Sequence, residues 1–339
     1  MSKVARSSAK GKSDVLPDFD HYVALDWSQW TMAIAHMRRR DKAPKVVEQS
    51  SSLAALRESL RSLHGTVVMT FEETTTAQWL YVELREEVTR IVVCNPYTNR
   101  LLSDGPKTDK IDARKLCMLL RAGLLKEVFH SDDALYDLRL LVSGYRDLVQ
   151  GGVRALNQRS ALSRGHADRV AHSTFIREHL DKRIDLYRLS KADYEVKFER
   201  FCRRNKQLKL LLPITGIGTI GAVMILATVV DARRFPGSGH YLSYCGLVKL
   251  EKSSGGRHYG QRKPQYSRTL KAVYKMAALA AIRGNNPIRE YYDVLLARGR
   301  AEHHARHQIA RYIATVTYGV LKTGTVYNPY QWRQYTKVA

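Results

Sequence analysis

The amino-acid sequence predicts an α/β domain followed by mainly helical structure, and three features of the chain support this fold class. Residues 19 to 96 alternate short apolar or β-branched runs with segments of helical periodicity. Residues 107 to 212 contain no proline and repeat leucines between charged residues at helical spacing, which is typical of long helices. After Pro213 the chain is apolar and punctuated by glycine, which indicates a second packed region with several helices.

The α/β segment has a predicted order of three strands, helix, strand, helix, strand and a further helix. The strands are "HYVALDWS", "WTMAIAHMRR", "KVVEQSS", "TVVMTFEE" and "RIVVCNP", the last stopped by Pro96. The intervening helices are "SLAALRESLRSLHG", which closes on Gly65, and "TAQWLYVELREEV". Short links favour an antiparallel meander for the first three strands, and helical crossovers favour parallel neighbours afterwards, so a mixed sheet is expected.

The charge balance predicts a folded protein with a polyanionic partner. Among 339 residues, 56 are Lys or Arg and 32 are Asp or Glu, a formal net charge of +24, while 44% are hydrophobic. Positive charge is spread along the chain, which favours nucleic acid over a small acidic ligand or a membrane surface. No run approaches the roughly 20 apolar residues that span a bilayer, and no apolar signal core follows the basic start, so a cytoplasmic protein is expected.

The cysteine and histidine patterns do not predict a zinc site. The four cysteines are far apart and form no CxxC pair, so buried reduced thiols are expected. They are Cys94, Cys117, Cys202 and Cys245. His303 and His307 are four residues apart, but the sequence lacks the glutamate order of a zinc protease, so a basic helix facing phosphate or RNA is predicted.

Four carboxylates occur where strands are predicted to end or a helix to begin. Asp26 ends the first strand and Glu72 the fourth, with Glu73 as an alternative because strand boundaries are uncertain by a residue. Asp109 and Asp112 lie one turn apart on one helix face. Active sites gather at strand ends of open sheets, so these acids are expected to meet, although each alone could simply pair with a nearby cation. Their oxygen ligands predict a Mg²⁺ cofactor, with Mn²⁺ as its substitute.

These segments resemble the DEDD transposases of the insertion-sequence 110/1111 family, whose relatives include the Piv DNA invertases. The resemblance rests on "YVALDWS", "FEETTT" and, most specifically, "KTDKIDARKL", which matches the family's Lys-Thr-Asp-x-x-Asp-Ala motif. It implies a RuvC-like domain, a branch of the ribonuclease H fold. The four matching residues would be Asp26, Glu72, Asp109 and Asp112, acting as catalytic metal ligands.

The second half carries the same resemblance. "LLPITGIGTIGAVMILATV" looks like the family's Ile-Pro-Gly-Ile-Gly helix-turn-helix, with Thr215 in place of the usual proline. "YCGLVKLEKSSGGRHYG" resembles the segment in which a Gly-Leu dipeptide precedes a Ser-Gly pair, which implies that Ser254 is a nucleophile. Ser253 is its competitor. "GQRKPQYSRTLKA" departs from the family pattern and is shorter.

Positive and glycine residues beside these motifs are the predicted nucleic-acid contacts. Glycine amides of the turn at residues 216 to 218 could approach a phosphate, or the turn could serve packing alone. Aromatic residues could stack on bases, although Trp27 and Trp30 are expected mainly to pack in the core. The predicted contacts are Lys107, Arg114, Gly216, Gly218, Lys252, Arg257, His258, Arg262 and Lys263.

The resulting division has four parts. Residues 1–18 are a basic disordered tail, 19–125 the RuvC-like catalytic domain, 126–208 a long-helix region, and 209–339 a helical C-terminal transposase domain. The middle helices either pair with a second copy, as a coiled coil does, or form a solvated linker bundle within one chain. Expected partners are double-stranded donor and target DNA, and the family implies a guide RNA encoded by the element and dimers that assemble into a tetramer.

The predicted function is that of a DNA transposase or site-specific recombinase of a mobile insertion sequence, associated with the nucleoid of a prokaryote. A RuvC-like junction nuclease would use the same acids with water as nucleophile and would not need Ser254. A non-catalytic nucleic-acid-binding protein would need neither the serine nor the acids. The sequence does not identify the target sites.

Overall fold

The computed structural model describes residues 18–96, 108–130, 135–164, 172–262 and 265–336, with the backbone alone at 252–254, 262 and 335–336. The chain forms two compact units, residues 1–133 and 134–339. Lys107 and Lys263, two predicted nucleic-acid contacts, lie outside the described residues, as does nearly all of the predicted tail. Within the described ranges, no helix is long and apolar enough to cross a membrane.

The first unit is built on a five-stranded mixed sheet with strand order β3-β2-β1-β4-β5. β1 is antiparallel to β2 and parallel to β4, β2 is antiparallel to β3, and β4 is parallel to β5. This order and orientation are those of the ribonuclease H fold, so the predicted mixed, RuvC-like sheet is confirmed. The strands are β1 His21–Trp27, β2 Thr31–Arg38, β3 Lys45–Ser50, β4 Val67–Glu72 and β5 Arg90–Cys94.

Helices cover both faces of this sheet, because alternate strand residues point to opposite sides. On one face, Val23, Leu25 and neighbouring apolar residues pack against two helices. On the other face, Tyr22, Ala24 and their neighbours pack against a third helix. The helices of the first face are α1 Leu53–Arg61 and α2 Ala77–Leu84, and the helix of the second face is α3 Asp109–Arg121.

Two long helices open the second unit, as the leucine periodicity predicted. α4 spans Tyr136–Arg164 and α5 spans Ser173–Arg204, and the two pack along each other. Gly152 admits the Tyr187 ring so closely that a β-carbon at Gly152 would lie 2.4 Å from it. The start of α4 and the end of α5 join the main core of this unit. Nearer the connection between the two helices, Ala155, Leu180 and Ile184 form a small separate cluster.

The remaining chain forms a helical core with one β-hairpin. Its central helix, α11, is buried along most of its length, and the Tyr318 hydroxyl on α11 donates a hydrogen bond of 2.9 Å to the Phe235 carbonyl. All four cysteines of the chain are buried and free, as predicted. The elements are α6 Lys206–Leu211, α7 Thr219–Val229, a 3-10 turn Ala232–Arg234, α8 Ser238–Tyr244, β6 Leu250–Ser254, β7 Arg257–Arg262, α9 Arg268–Ala281, α10 Pro287–Ala297, α11 Glu302–Thr323 and α12 Arg333–Thr336.

Candidate active site

Asp26 and Glu72 lie at the ends of β1 and β4, on the same face of the sheet. Asp26 continues the alternation of Tyr22 and Ala24, and Glu72 continues that of Val68 and Thr70. This is the face covered by α3. Because β1 and β4 are parallel neighbours, both carboxylates come to the carboxyl-terminal edge of the sheet.

Asp109 and Asp112 lie in the first turn of α3, on the side that faces the sheet. Ala113, Leu116, Cys117 and Leu120 form the buried stripe of this helix, and the two aspartates extend the stripe by one turn towards its start. The Thr108 hydroxyl caps the helix by accepting a hydrogen bond of 3.3 Å from the Ile111 amide. Acidic side chains in a first turn are stabilised by the helix dipole, so their position is favourable before any ligand binds.

The four carboxylates interact electrostatically, and Asp26 is the most affected. Burial, together with the negative charges of Asp109, Asp112 and Glu72, raises the pKa of Asp26 to about 6. We refer to Asp26, Glu72, Asp109 and Asp112 as the acidic cluster. Among the described residues, no three acidic, histidine or cysteine side chains are close enough to hold one ion as they stand. The four carboxylates are thus close enough to affect one another's charge, but they do not surround one ion-sized position.

The chemistry of the acidic cluster fits a hard divalent cation. All four donors are carboxylates, the ligand type that Mg²⁺ and Mn²⁺ prefer. Oδ1 of Asp112 is buried and accepts no hydrogen bond from the described residues, so this oxygen has unused capacity for a ligand. A bound cation would also relieve the repulsion that raises the pKa of Asp26.

Ser254, the predicted nucleophile, lies at the end of β6 in the hairpin of the second unit. Its backbone pairs with Arg257 across the turn formed by Gly255 and Gly256, and a register shift falls between Lys252 and Ser253. Arg257 and His258, two predicted nucleic-acid contacts, are exposed on β7. The side chains of Lys252, Ser253, Ser254 and Arg262 lie outside the described part of the chain, so the choice between the two serines stays open.

The Gly-Leu dipeptide before this hairpin has a packing role. Gly246 adopts a positive φ of +66°, and a β-carbon there would lie 2.5 Å from the Tyr266 ring. Leu247 is buried in the core of the unit. The dipeptide therefore fixes the backbone from which β6 departs.

The predicted phosphate-binding turn at residues 216 to 218 lies between α6 and α7. Gly216 has a φ of +89°, and a β-carbon there would lie 2.2 Å from the Ala277 carbonyl oxygen, so close packing against α9 accounts for this glycine. Gly218 is exposed, has nothing within 4 Å of a β-carbon, and precedes the first turn of α7. A phosphate contact at either glycine stays a prediction.

The sequence matches two profiles of one transposase family. Residues 23–165 match the DEDD transposase profile of IS110, and residues 208–293 match the profile described as the transposase IS116/IS110/IS902 family. The first segment contains the acidic cluster and the second contains Ser254. The chain belongs to the IS110 family of transposases. The resemblance inferred from the motifs is therefore confirmed.

Curated proteins similar to this IS110-family chain come from other insertion elements. The uncharacterized 43.6 kDa protein of IS110 from Streptomyces coelicolor is 34% identical over 119 residues, which are 35% of this chain and 29% of that protein. The uncharacterized 42 kDa protein of IS900 from Mycobacterium paratuberculosis is 28% identical over 140 residues, 41% of this chain and 35% of that protein. A probable family 20 transposase of Pseudomonas aeruginosa is 25% identical over 142 residues, 41% of this chain and 42% of that protein. The chain thus spans less than half of the length of each of these relatives.

Glu73, the sequence alternative to Glu72, has a different environment in this IS110-family fold. It follows Phe71 in the alternation and so belongs to the opposite side of the sheet. Its Oε2 lies 3.0 Å from Nε2 of His130, whose side chain is buried. Glu73 does not contribute to the raised pKa of Asp26, whereas Glu72 does. These contacts favour Glu72 as the member of the acidic cluster.

Sequence reasoning missed one residue of the first unit and placed another wrongly. His130 had no local signal, because its link to Glu73 joins segments that are distant in the chain. Trp30 is 77% exposed in the turn after β1, so the prediction that it packs in the core was wrong. Its backbone carbonyl accepts a hydrogen bond from the Ser51 amide, which fixes the turn, while its ring projects from the apolar strands. Trp27 is half-buried and contacts Trp79 edge to face at 5.6 Å.

Proposed function

We propose that this IS110-family protein is the DNA transposase of a mobile insertion sequence, which cuts and rejoins DNA strands with the acidic cluster and a serine nucleophile. The observation that supports this most directly is the gathering of four carboxylates at one sheet edge, where burial and the charges of the other three acids raise the pKa of Asp26 to about 6. Structural ion pairing does not explain that environment, because every named neighbour of Asp26 in it is also an acid.

The acidic cluster would hold Mg²⁺, with Mn²⁺ as its substitute. When bound, such an ion neutralises negative charge on a phosphodiester and supports both the attacking and the leaving oxygen. The protein's own contribution is positional. β1, β4 and the start of α3 present the carboxylates from three rigid elements, and Cys117 on α3 lies 3.4 Å from the Tyr22 carbonyl of β1, within hydrogen-bond reach.

Ser254 would attack the phosphorus of a DNA phosphodiester. Its hydroxyl loses a proton, a bond forms between Oγ and phosphorus, and a bridging deoxyribose oxygen leaves and takes up a proton. A hydroxyl of the acceptor strand then displaces the serine oxygen and restores the phosphodiester. The exposed cationic residues Arg257 and His258 lie on the paired strand of the hairpin, where positive charge supports the developing negative charge.

The proposed partners are donor and target DNA, a guide RNA encoded by the element, and further copies of the chain. The formal net charge of +24 supports binding to polyanions. Self-association is supported by exposed apolar side chains on the long helices, among them Leu186 and Leu189 of α5, which are 64% and 65% exposed. A groove of about 630 Å³ in the same region is lined partly by Leu162, Phe175 and Ile176.

Strand transfer on DNA from the ends of the element tests the chemistry with paired substitutions. Ser254→Ala should abolish strand transfer and any covalent protein–DNA product, while Ser253→Ala keeps both. Glu72→Gln should abolish Mg²⁺-dependent cleavage, while Glu73→Gln keeps it. Cleavage that survives Ser254→Ala would instead support a junction nuclease that uses water.

The guide RNA is tested by sequencing the RNA that remains bound after the protein is expressed with its flanking DNA and purified at moderate salt. One discrete RNA encoded beside the gene supports guided recombination. Host RNA without enrichment of the flanks removes the guide from the proposal. If Asp109→Asn and Asp112→Asn leave both chemistry and Mg²⁺ dependence unchanged, the protein is a non-catalytic nucleic-acid binder.

A further inference from the structure

Four cations and a histidine lie together in the second unit, at the base of the β6–β7 hairpin. Lys271 and Lys275 lie one turn apart on α9, and His307 and Arg311 lie one turn apart on α11, which packs against α9. Lys249 directly precedes β6. Burial lowers the pKa of His307, and so do Arg311, Lys275 and Lys271, which places these three cations within electrostatic range of its ring. We call these five residues the cationic cluster.

The cationic cluster lacks the acidic partners that other cations in this unit have. Nearby on α11, Arg306 pairs with Glu302. On α10, Arg289 pairs with Asp293 at 2.9 Å. Among the described residues, no carboxylate forms an ion pair with any member of the cationic cluster. Like charges one turn apart destabilise a helix, so this arrangement does not serve folding.

A small cavity borders the cationic cluster, and Lys249, Lys271 and His307 are the members that line it. It has a volume of about 80 Å³ and is lined by residues 246–249 together with Tyr266, Lys271 and His307. Nucleoside and cofactor pockets usually measure several hundred Å³, so this cavity suits only a compact group. The Lys271 ammonium lies 4.5 Å from the centre of the Tyr266 ring, which holds the lysine at the rim by a cation–π contact.

The walls of this cavity are fixed before any ligand binds. Nε2 of His307 lies 3.1 Å from the Leu247 carbonyl oxygen. A carbonyl can only accept, so Nε2 carries the proton in this contact. On the other side, Gly246 packs directly on Tyr266. The start of the loop that leads into β6 is therefore anchored twice, by Leu247 to α11 and by Gly246 to the segment before α9.

We infer that the cationic cluster is a binding site for one phosphodiester group of a nucleic-acid strand, an inference that builds on the proposed function. Lysine and arginine side chains supply the charge, and the small cavity admits a phosphate but not a base. Lys249 is five residues before Ser254, a distance of at most roughly 17 Å along an extended strand. Since one strand of duplex DNA carries a phosphate about every 3.4 Å along the axis, the site would hold a phosphate up to about five nucleotides from the one at Ser254.

The first test measures how the affinity for DNA depends on salt. A triple variant, Lys271→Gln with Lys275→Gln and Arg311→Gln, is compared with the wild-type full chain on a labelled duplex by fluorescence anisotropy. Loss of one phosphate contact should lower the slope of log Kd against log salt by about 1, equally for duplexes of different sequence. The matched control removes three exposed lysines from α5 and α6, Lys197→Gln with Lys206→Gln and Lys209→Gln, and its slope should stay close to that of the wild type.

The outcomes separate a site from a general charge effect. A lower slope in the triple variant with an unchanged control supports the inference. Equal slopes in the wild type and the triple variant, or an equal fall in the control, overturn the inference and leave the proposed function intact.

A second test needs no DNA and measures the wild-type protein. The side-chain nitrogen resonances of His307 are followed by NMR as inorganic sulfate is added to the wild-type protein, with His307→Gln used for assignment. A bound anion should raise the pKa of His307, which burial, Arg311, Lys275 and Lys271 otherwise lower. A His307 response to sulfate in a protein that fails to bind DNA would keep the anion site and refute the proposed function. The absence of any response overturns the inference.

Discussion

Replacing Asp26 with asparagine should stabilise the metal-free protein while removing its capacity for catalysis. Asp26 is the carboxylate on which burial and three other acids act together. Asparagine keeps the shape of the side chain and removes its charge, so the variant no longer places an anion beside Glu72, Asp109 and Asp112. The wild-type residue is thus expected to reduce stability in return for its role in binding a cation.

The magnitude follows from the pKa of Asp26, which rises from 3.8 to about 6. If the whole pKa shift acted on the free energy of unfolding, it would correspond to about 3 kcal/mol. Because the carboxylate is partly exposed, solvent screening reduces the expected gain for Asp26→Asn to about 1 to 2 kcal/mol.

The pH dependence has a definite sign. Below pH 3.8 the carboxyl is protonated in both the folded and the unfolded chain, so the variant gains nothing there. Between pH 3.8 and about 6 the unfolded chain ionises first, and the wild type loses stability relative to the variant. Above about pH 6 the difference in stability between the variant and the wild type reaches its full value and stays constant.

Urea unfolding followed by tryptophan fluorescence measures this difference. Trp27, Trp30 and Trp79 lie in the first unit and Trp332 in the second, so a Trp332→Phe background reports on the first unit alone. Unfolding is recorded from pH 4 to 8 with EDTA, and then at pH 7.5 with excess Mg²⁺, which should stabilise the wild type more than the variant. A stability difference that is zero, negative or independent of pH would show that the carboxylates do not interact as described.

Three further predictions concern other parts of the molecule. His130→Ala should lower the free energy of unfolding of the first unit by about 1 to 3 kcal/mol, since it leaves Glu73 without its buried partner; unchanged urea unfolding would contradict this. Gly246→Ala should lower the Tm, because the left-handed backbone and the nearby Tyr266 ring leave no room for a β-carbon; calorimetry that shows an unchanged Tm would exclude this role. Leu186→Glu with Leu189→Glu should reduce the mass measured by light scattering to that of one chain if the long helices mediate self-association, and an unchanged mass would place the interface elsewhere.

Much of the first unit could be predicted because its signals are local. Each strand is a short apolar run, each helix has its own periodicity, and Thr108 marks the start of α3 with a capping side chain. The edge at which the acids gather then follows from strand order. Strand alternation could also have favoured Glu72 over Glu73, since Val68 and Thr70 mark the face of the sheet on which α3 packs.

Other features depend on contacts that the local sequence does not reveal. A leucine repeat has the same pattern whether a helix packs in the core of its own chain or against a second copy. α4 and α5 pack in their own core at one end of the hairpin, and they expose apolar side chains at the other end. The spacing of His303 and His307 suggests only a metal or nucleic-acid role for His307, because its contact with Leu247 depends on how α11 packs. Likewise, nothing adjacent to Trp30 in sequence indicates that its turn carries it into solvent.

The tyrosine-on-glycine contact between the long helices gives them a single alignment. For α5 to slide by one turn along α4, the Tyr187 ring would have to leave Gly152 and meet residues that have side chains. The 29 residues of α4 correspond to about 44 Å of helix, so the helical hairpin is a rigid spacer of fixed length. Whatever binds at its far end is held at one distance from the core of the second unit, and removing seven residues from each helix should shorten that distance by about 10 Å while keeping the same faces aligned.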